Sequence, residues 1–325
     1  MTTNTATVII RSARERTEAL CRELVLAQEV PAEAVFVVRE VPFSQSMRTS
    51  FRIGLEQGRP WTFCVDADLL LRPGAIAHML ELAEQQPPNA CEIQGLVLDK
   101  FFGGPRPAGN HLYRTAHLEE VIARIPNEGT NIRPEGHTLR SMKKAGYPWV
   151  QVPYVVGLHD FEQSYQDIFR KCFVQAHKHL GLTPLFMTIW REGSADDTDY
   201  RVALAGFARG IEHYDDVHID IRGEHFKMSL NEFGLSEKLP IDTRAWPSAR
   251  IEAIIQNWQE PAVYRQWYPT RFDLDKPDKR INVRSSIQRL RKHLERHGLK
   301  KTMSRAAGWT FIMIGERLQR IADQA

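Results

Sequence analysis

Continuous apolar runs alternate with stretches of helical periodicity through the first half of the chain. Residues 5–10 (TATVII), 34–38 (AVFVV) and 61–65 (WTFCV) are apolar at nearly every position, the pattern of strands buried on both faces. Between them, residues 15–28 set Leu20, Leu24 and Ala27 on one helical face, and residues 46–58 predict a helix that ends at Gly58. Pro73 suits a first helical position, and Ile76, Met79, Leu80 and Ala83 recur at i, i+3, i+4 and i+7. Residues 91–99 and 148–156 predict two more strands, with a helix over 136–146 between them. The stretch 101–114 (FFGGPRPAGNHLYR) is loop-forming by its glycine and proline content. A further helix is predicted to start at Asp160, capped by that residue with Gln163 three positions on, and its apolar face is Phe161, Tyr165, Ile168, Cys172 and Ala176. Strands alternating with helices predict an α/β fold, a mostly parallel sheet with helices on both faces.

After about residue 185 the alternation stops. Helices are predicted over 199–213 and 248–258, with no repeating strand–helix rhythm. The expected division is therefore an α/β domain over 1–185 and a mainly helical region over 186–325. Near the end, Val283, Ile287, Leu290 and Leu294 make one helical stripe, and Phe311, Ile314, Leu318 and Ile321 make another.

Composition narrows the class. Apolar content of 42% and charged content of 26% are those of a globular protein. A net charge of +3 gives the whole chain no polyanion-binding character, so nucleic acid is not an expected partner. The charge is unevenly spread: residues 276–305 hold eleven Lys/Arg against two acids, which points to an anionic surface as a partner of the C-terminus. Cys21, Cys64, Cys91 and Cys172 lie in apolar-periodic segments with no C-x-x-C pair, so free thiols in a reducing compartment are expected. The first residues lack a signal-peptide pattern, and the longest late apolar run, around residues 308–315, is too short to span a bilayer. The expected location is cytoplasmic, with peripheral membrane contact through the basic C-terminus as one role for that region and packing on the α/β domain as the other.

The candidate chemistry lies at Asp66-Ala67-Asp68, where a buried strand closes on two carboxylates. In parallel α/β sheets ligands bind beyond the carboxyl ends of the strands. Spaced i, i+2 on extended backbone, the two acids project the same way and suit a hard divalent cation, Mg2+ or Mn2+. His159, at the end of another predicted strand, would bring an imidazole to the same sheet edge.

These motifs resemble those of the family 2 glycosyltransferases of GT-A fold, which move a sugar from a nucleotide-diphosphate donor to an acceptor. The resemblance covers roughly the first 180 residues and rests on TVIIRSARERTEAL, FCVDADLLLRPGAI, RPEGHTLRSMKKAGYPWVQVP and VVGLHD, in that order. It implies that Asp66 contacts the donor nucleotide and its metal, that Asp68 is the main carboxylate ligand and that His159 is a third ligand. Counting back from Gly146, Glu135 falls on the family's catalytic base, with His137 two residues on as a substitute. The loops that hold nucleobase and ribose depart from the family: Arg11, Ala13 and Arg14 stand in the first, and Glu40 is the acid near the end of the second strand. Arg11, Arg14 and Glu40 are accordingly the donor-facing candidates, with Arg39 a further arginine that faces either phosphate or solvent.

The implied activity is metal-dependent, inverting glycosyl transfer to a saccharide or lipid-linked acceptor, as in cell-surface polysaccharide assembly. A silent GT-A-like module that binds a saccharide or a protein stays open as the alternative. A nucleotidyltransferase fits less well, because residues 9–20 contain no glycine to form a triphosphate loop. A phosphatase of the haloacid dehalogenase type would want Thr or Val where Leu70 stands.

Overall fold

Eight strands form one sheet in a computed structural model that describes residues 3–213, 215–217, 219 and 228–267. In chain order the elements are β1 (Ala6–Arg11), α1 (Glu18–Leu26), β2 (Val35–Val38), α2 (Phe43–Gln57), β3 (Trp61–Asp66), β4 (Leu69–Leu71), α3 (Ala75–Glu84), β5 (Glu92–Asp99), β6 (Gly104–Arg106), β7 (Asn110–Arg114), α4 (Leu118–Ala123), α5 (Pro134–Lys144), β8 (Trp149–His159), α6 (Tyr165–Lys178), α7 (Thr183–Gly193), α8 (Thr198–Ile211), α9 (Ser248–Asn257) and α10 (Ala262–Trp267). The strand order is β2-β1-β3-β7-β5-β8-β4, with β6 paired to β5. Strands β2, β1, β3, β5 and β8 run one way, and β7, β4 and β6 run against them. This is the expected mostly parallel α/β sheet.

Side-chain alternation covers both faces. Val8, Ile10, Phe63 and Val65 join Cys21 and Val25 of α1 and Ile76, Met79 and Leu80 of α3 in one core. Their neighbours Ile9 and Cys64 join Met47 and Phe51 of α2, Val121 of α4 and Leu139 and Met142 of α5 in the other. A period of two along each strand, with apolar residues on both sides, requires helices above and below.

Three elements differ from the reading of the sequence. Residues 101–114 contain β7, which lies between β3 and β5 in the middle of the sheet. Gly104 and Pro105 lie in β6, Gly103, Pro107 and Gly109 lie in the turns on either side of it, and Asn110–Arg114 pair in full with β3. The helix expected at Asp160 begins instead at Tyr165, where the Ser164 side chain accepts from the Asp167 N–H. Asp160 has φ +65°, a left-handed conformation outside any helix, and its carboxylate is spent on His159 and Lys171. Pro73 precedes the helix, which opens after Gly74 at φ +71°.

All described residues except Leu180–Leu182, a short 3-10 turn, belong to one compact unit. Within that unit, α6 and α8 pack at near-backbone distance, since a Cβ on Gly206 or Gly210 would lie 2.3 or 2.5 Å from the carbonyl oxygens of Phe169 and Phe173. Trp190 of α7 donates to the Phe101 carbonyl at 2.7 Å and Trp258, just after α9, to that of Gly103 at 3.2 Å, so both meet the turn between β5 and β6. The four cysteines are buried and unpaired. No helix among the described residues is long and apolar enough to cross a membrane. The basic segment 276–305 and the two late apolar stripes lie outside the described residues.

Candidate functional site

Four strand ends bring the predicted site residues to one sheet edge. Arg11 ends β1 and Asp66 ends β3, and the two are register partners. Asp99 ends β5 opposite His159, the last residue of β8, and His159 is also paired across to Leu69 of β4. Asp68 sits in the turn from β3 to β4. That turn is pinned by Ala67 N–H donating to the Arg11 carbonyl and Asp66 N–H to the Gly109 carbonyl, both at 2.9 Å. Gly109 has φ +61°, and a Cβ there would lie 3.1 Å from His159 Cδ2 and 3.5 Å from Asp66 Oδ2. A glycine lets the chain roof the pair closely.

Asp66, Asp68 and His159 each offer one ligand atom, and these atoms all lie within 4.8 Å of one another. Ligands on one cation at about 2.1 Å sit roughly 3 to 4 Å apart, so small side-chain rotations close the set. The chemistry of the donors fits a hard cation. Asp68 Oδ1 is buried with no hydrogen-bond partner, and His159 Nε2 stands 3.4 Å from it. His159 Nδ1 faces Asp99 Oδ2 at 2.9 Å and Asp160 Oδ2 at 3.0 Å, which fixes the ring and leaves Nε2 on the Asp68 side. Carboxylate backing of this kind is the usual support of a ligating imidazole. Burial alone would lower the His159 pKa, but Asp160 and Asp68 push it up to about 10, so the ring is a cation in the metal-free site. A metal would displace the Nε2 proton.

Asp99, His159 and Asp160 form a second close group, but it shares the same imidazole. Asp99 is already satisfied: Phe101 N–H and Phe102 N–H donate to Oδ1 at 2.9 Å, and Arg106 Nε to Oδ2 at 2.7 Å. Burial opposes ionisation there, and Arg106 and His159 override it, holding the carboxyl well below its usual range. Asp99 orients the histidine.

Charge compensation for the two aspartates comes from Lys171, which the sequence pattern does not flag, and from Arg11, which was expected to face the donor. Lys171 of α6 donates to Asp68 Oδ2 and, at 2.5 Å, to Asp160 Oδ1. Arg11, with a side chain only 2% exposed, meets Asp66 Oδ1 at 2.9 Å and Glu135 Oε1 at 2.7 Å. Glu135 thus reaches the site through Arg11, and it also accepts from Tyr113 Oη at 2.9 Å and from His111 Nε2 at 2.8 Å. His111 Nδ1 in turn faces the fully buried Glu92 at 2.7 Å. Burial alone would raise the Glu135 pKa; Arg11 and His111 hold it well below the usual carboxylate range.

The other predicted residues stand apart. Arg14 is exposed at φ +70°, with its N–H on Ser12 Oγ. Glu40 is exposed and accepts from Thr49 at 2.6 Å, and Arg39 pairs with Glu18. His137 Nδ1 faces the Asn131 amide at 3.2 Å.

No protein-family model matches the sequence, and no curated protein matches it. Among solved structures, a mannosyltransferase from Pyrobaculum calidifontis in complex with GDP-Man and Mn2+ is 11% identical. It covers 64% of this chain and 87% of its own, with a TM-score of 0.38. A glycosyltransferase involved in glycosylating the major capsid of PBCV-1 is 14% identical over 46% of this chain and 82% of its own, with a TM-score of 0.33. At such scores no residue role passes from one chain to the other, and the site rests on its own geometry.

Proposed function

We propose that this protein is a metal-dependent glycosyltransferase that uses a nucleoside-diphosphate sugar. The observation that carries the reading is the buried Asp68 Oδ1, which accepts no hydrogen bond and lies 3.4 Å from His159 Nε2, beside Asp66 at the carboxyl edge of the sheet. Asp66, Asp68 and His159 would hold the cation, Mn2+ or Mg2+. Held by these residues, a cation would supply positive charge to offset the negative charge that develops on the departing diphosphate, a contribution of several kcal/mol. Asp99 and Asp160 keep the His159 ring turned toward Asp68, and Lys171 holds the second Asp68 oxygen.

The finer reading is a single inverting displacement on a saccharide or lipid-linked acceptor, in the cytoplasm, for cell-surface polysaccharide. It is supported by the family 2-like motif order rather than by the geometry. A saccharide- or protein-binding module without turnover is the second reading, favoured by the ion pairs that already engage Asp68 Oδ2 and both oxygens of Glu135.

Calorimetry with UDP and GDP, with and without Mn2+, decides between them. The transferase reading expects one nucleotide to bind only with metal, and Asp68→Ala to weaken that binding by more than the roughly 10–100-fold that loss of a ligand's supporting residue costs. If neither nucleotide binds under any condition, the module reading replaces it.

A further inference from the structure

Arg11 touches both Asp66 and Glu135. Its Nε and Nη2 lie 3.1 and 2.9 Å from Asp66 Oδ1, and its Nη1 and Nη2 lie 2.7 and 3.4 Å from Glu135 Oε1 and Oε2. Tyr113 adds a donor to Oε1 and His111 one to Oε2. Every direction from which Glu135 would take a proton is therefore filled by a donor. From behind, Glu92 holds His111. Asp66 differs: its side chain is 31% exposed, its Oδ1 belongs to Arg11, and its Oδ2 and His159 Nε2 lie 3.5 and 3.4 Å from the position a Cβ on Gly109 would take.

We propose that Glu135 is a positioning residue for Asp66: by sharing the Arg11 guanidinium it keeps that cation off Asp66 Oδ2, which stays free for a divalent cation. The proposal rests on the reading of Asp66, Asp68 and His159 as a cation site. A guanidinium is a permanent charge and pairs with carboxylates in bidentate fashion. With Glu135 present, two acids divide its donors. Without that charge, Arg11 closes onto both oxygens of Asp66 and competes with the metal. The role differs from that of an acceptor base, which touches substrate and leaves metal affinity alone.

The test is a Mn2+ titration of the full-length, nucleotide-free protein, followed by calorimetry and by the free-Mn2+ resonance signal. Glu135→Gln is expected to bind Mn2+ about tenfold or more weakly than wild type, the scale of loss seen when the support of a ligand is removed. Glu135→Asp, which restores the charge, is expected to recover most of that affinity. A Glu135→Gln variant with wild-type Mn2+ affinity overturns the proposal, and loss of turnover at that unchanged affinity returns the residue to the role of base. If circular dichroism shows that Glu135→Gln does not fold, Arg11→Lys is read in its place. Lysine lacks the planar fork of donors that Arg11 spreads over Asp66 and Glu135, so unchanged Mn2+ affinity there also overturns the proposal. Failure of the wild type itself to bind Mn2+ is a separate result, and it removes the cation site together with the role built on it.

Discussion

Replacing Lys171 by methionine takes away the ammonium shared by Asp68 and Asp160 and keeps most of its apolar stem. The side chains of the two aspartates are 5% and 6% exposed and that of Lys171 is 19% exposed. Removing one partner of a buried ion pair costs about 3–5 kcal/mol, because the charge left behind is uncompensated. Partial exposure of Lys171 puts the loss near the lower end, about 3 kcal/mol, or a fall in Tm of roughly 6–12 °C for a unit of this size. A divalent cation at this site supplies the missing charge. At a hundredfold excess over its Kd it adds about 2.7 kcal/mol to any chain that binds it. Lys171→Met, freed of the competing ammonium, should bind Mn2+ more tightly than wild type and regain most of its lost stability. Thermal melts of both proteins in EDTA and in saturating Mn2+ provide the assay. The reasoning is refuted if Lys171→Met melts with wild type in EDTA, or if Mn2+ stabilises it no more than it stabilises wild type.

Gly157→Ala should cost about 2–3 kcal/mol and weaken Mn2+ binding, because its Cβ would sit 2.2 Å from the Leu70 carbonyl oxygen and force β4 away from β8 beside His159; wild-type melting together with a wild-type Mn2+ titration would contradict this. Metal-free stability should also depend on pH at both ends. His111 and His159 are raised from an ordinary value of 6.5 to about 10, against burial, by Glu135 and Glu92 in the first case and by Asp160 and Asp68 in the second. Their contribution is complete below pH 6.5 and lost as pH rises through 10, so Tm in EDTA should fall between pH 7 and 10. Glu135 and Asp160 are depressed below ordinary values of 4.5 and 3.8, so their contribution is present above those values and lost as pH falls toward strong acid. A Tm that climbs from pH 7 to 10 would show that these pairs are not formed in solution.

The sheet edge was readable because its signals are local. A strand that stays apolar through Val65 and then turns to Asp66 and Asp68 states by itself where its buried length ends, and the same holds for His159 after residues 148–158. The counter-charges were not readable. Lys171 lies on a helix more than a hundred residues from Asp68, inside a periodic segment where a lysine reads as solvated face. His111 and Tyr113 were hidden in a stretch whose glycines and prolines argued for a loop, and only the pairing of β7 with β3 and β5 shows them to be central.

The sequence by itself determined the α/β alternation, the edge at which Asp66, Asp68 and His159 meet, and the free state of the cysteines, because each follows from periodicity or from spacing along one segment. The tertiary structure decided which cation faces which acid. Arg11 was expected at the donor; the parallel pairing of β1 with β3 sets it against Asp66, and α5 brings Glu135 to its other side. Those partners come from separate elements, and charge pairing acts through space at a few ångströms, so no pattern along the chain records it.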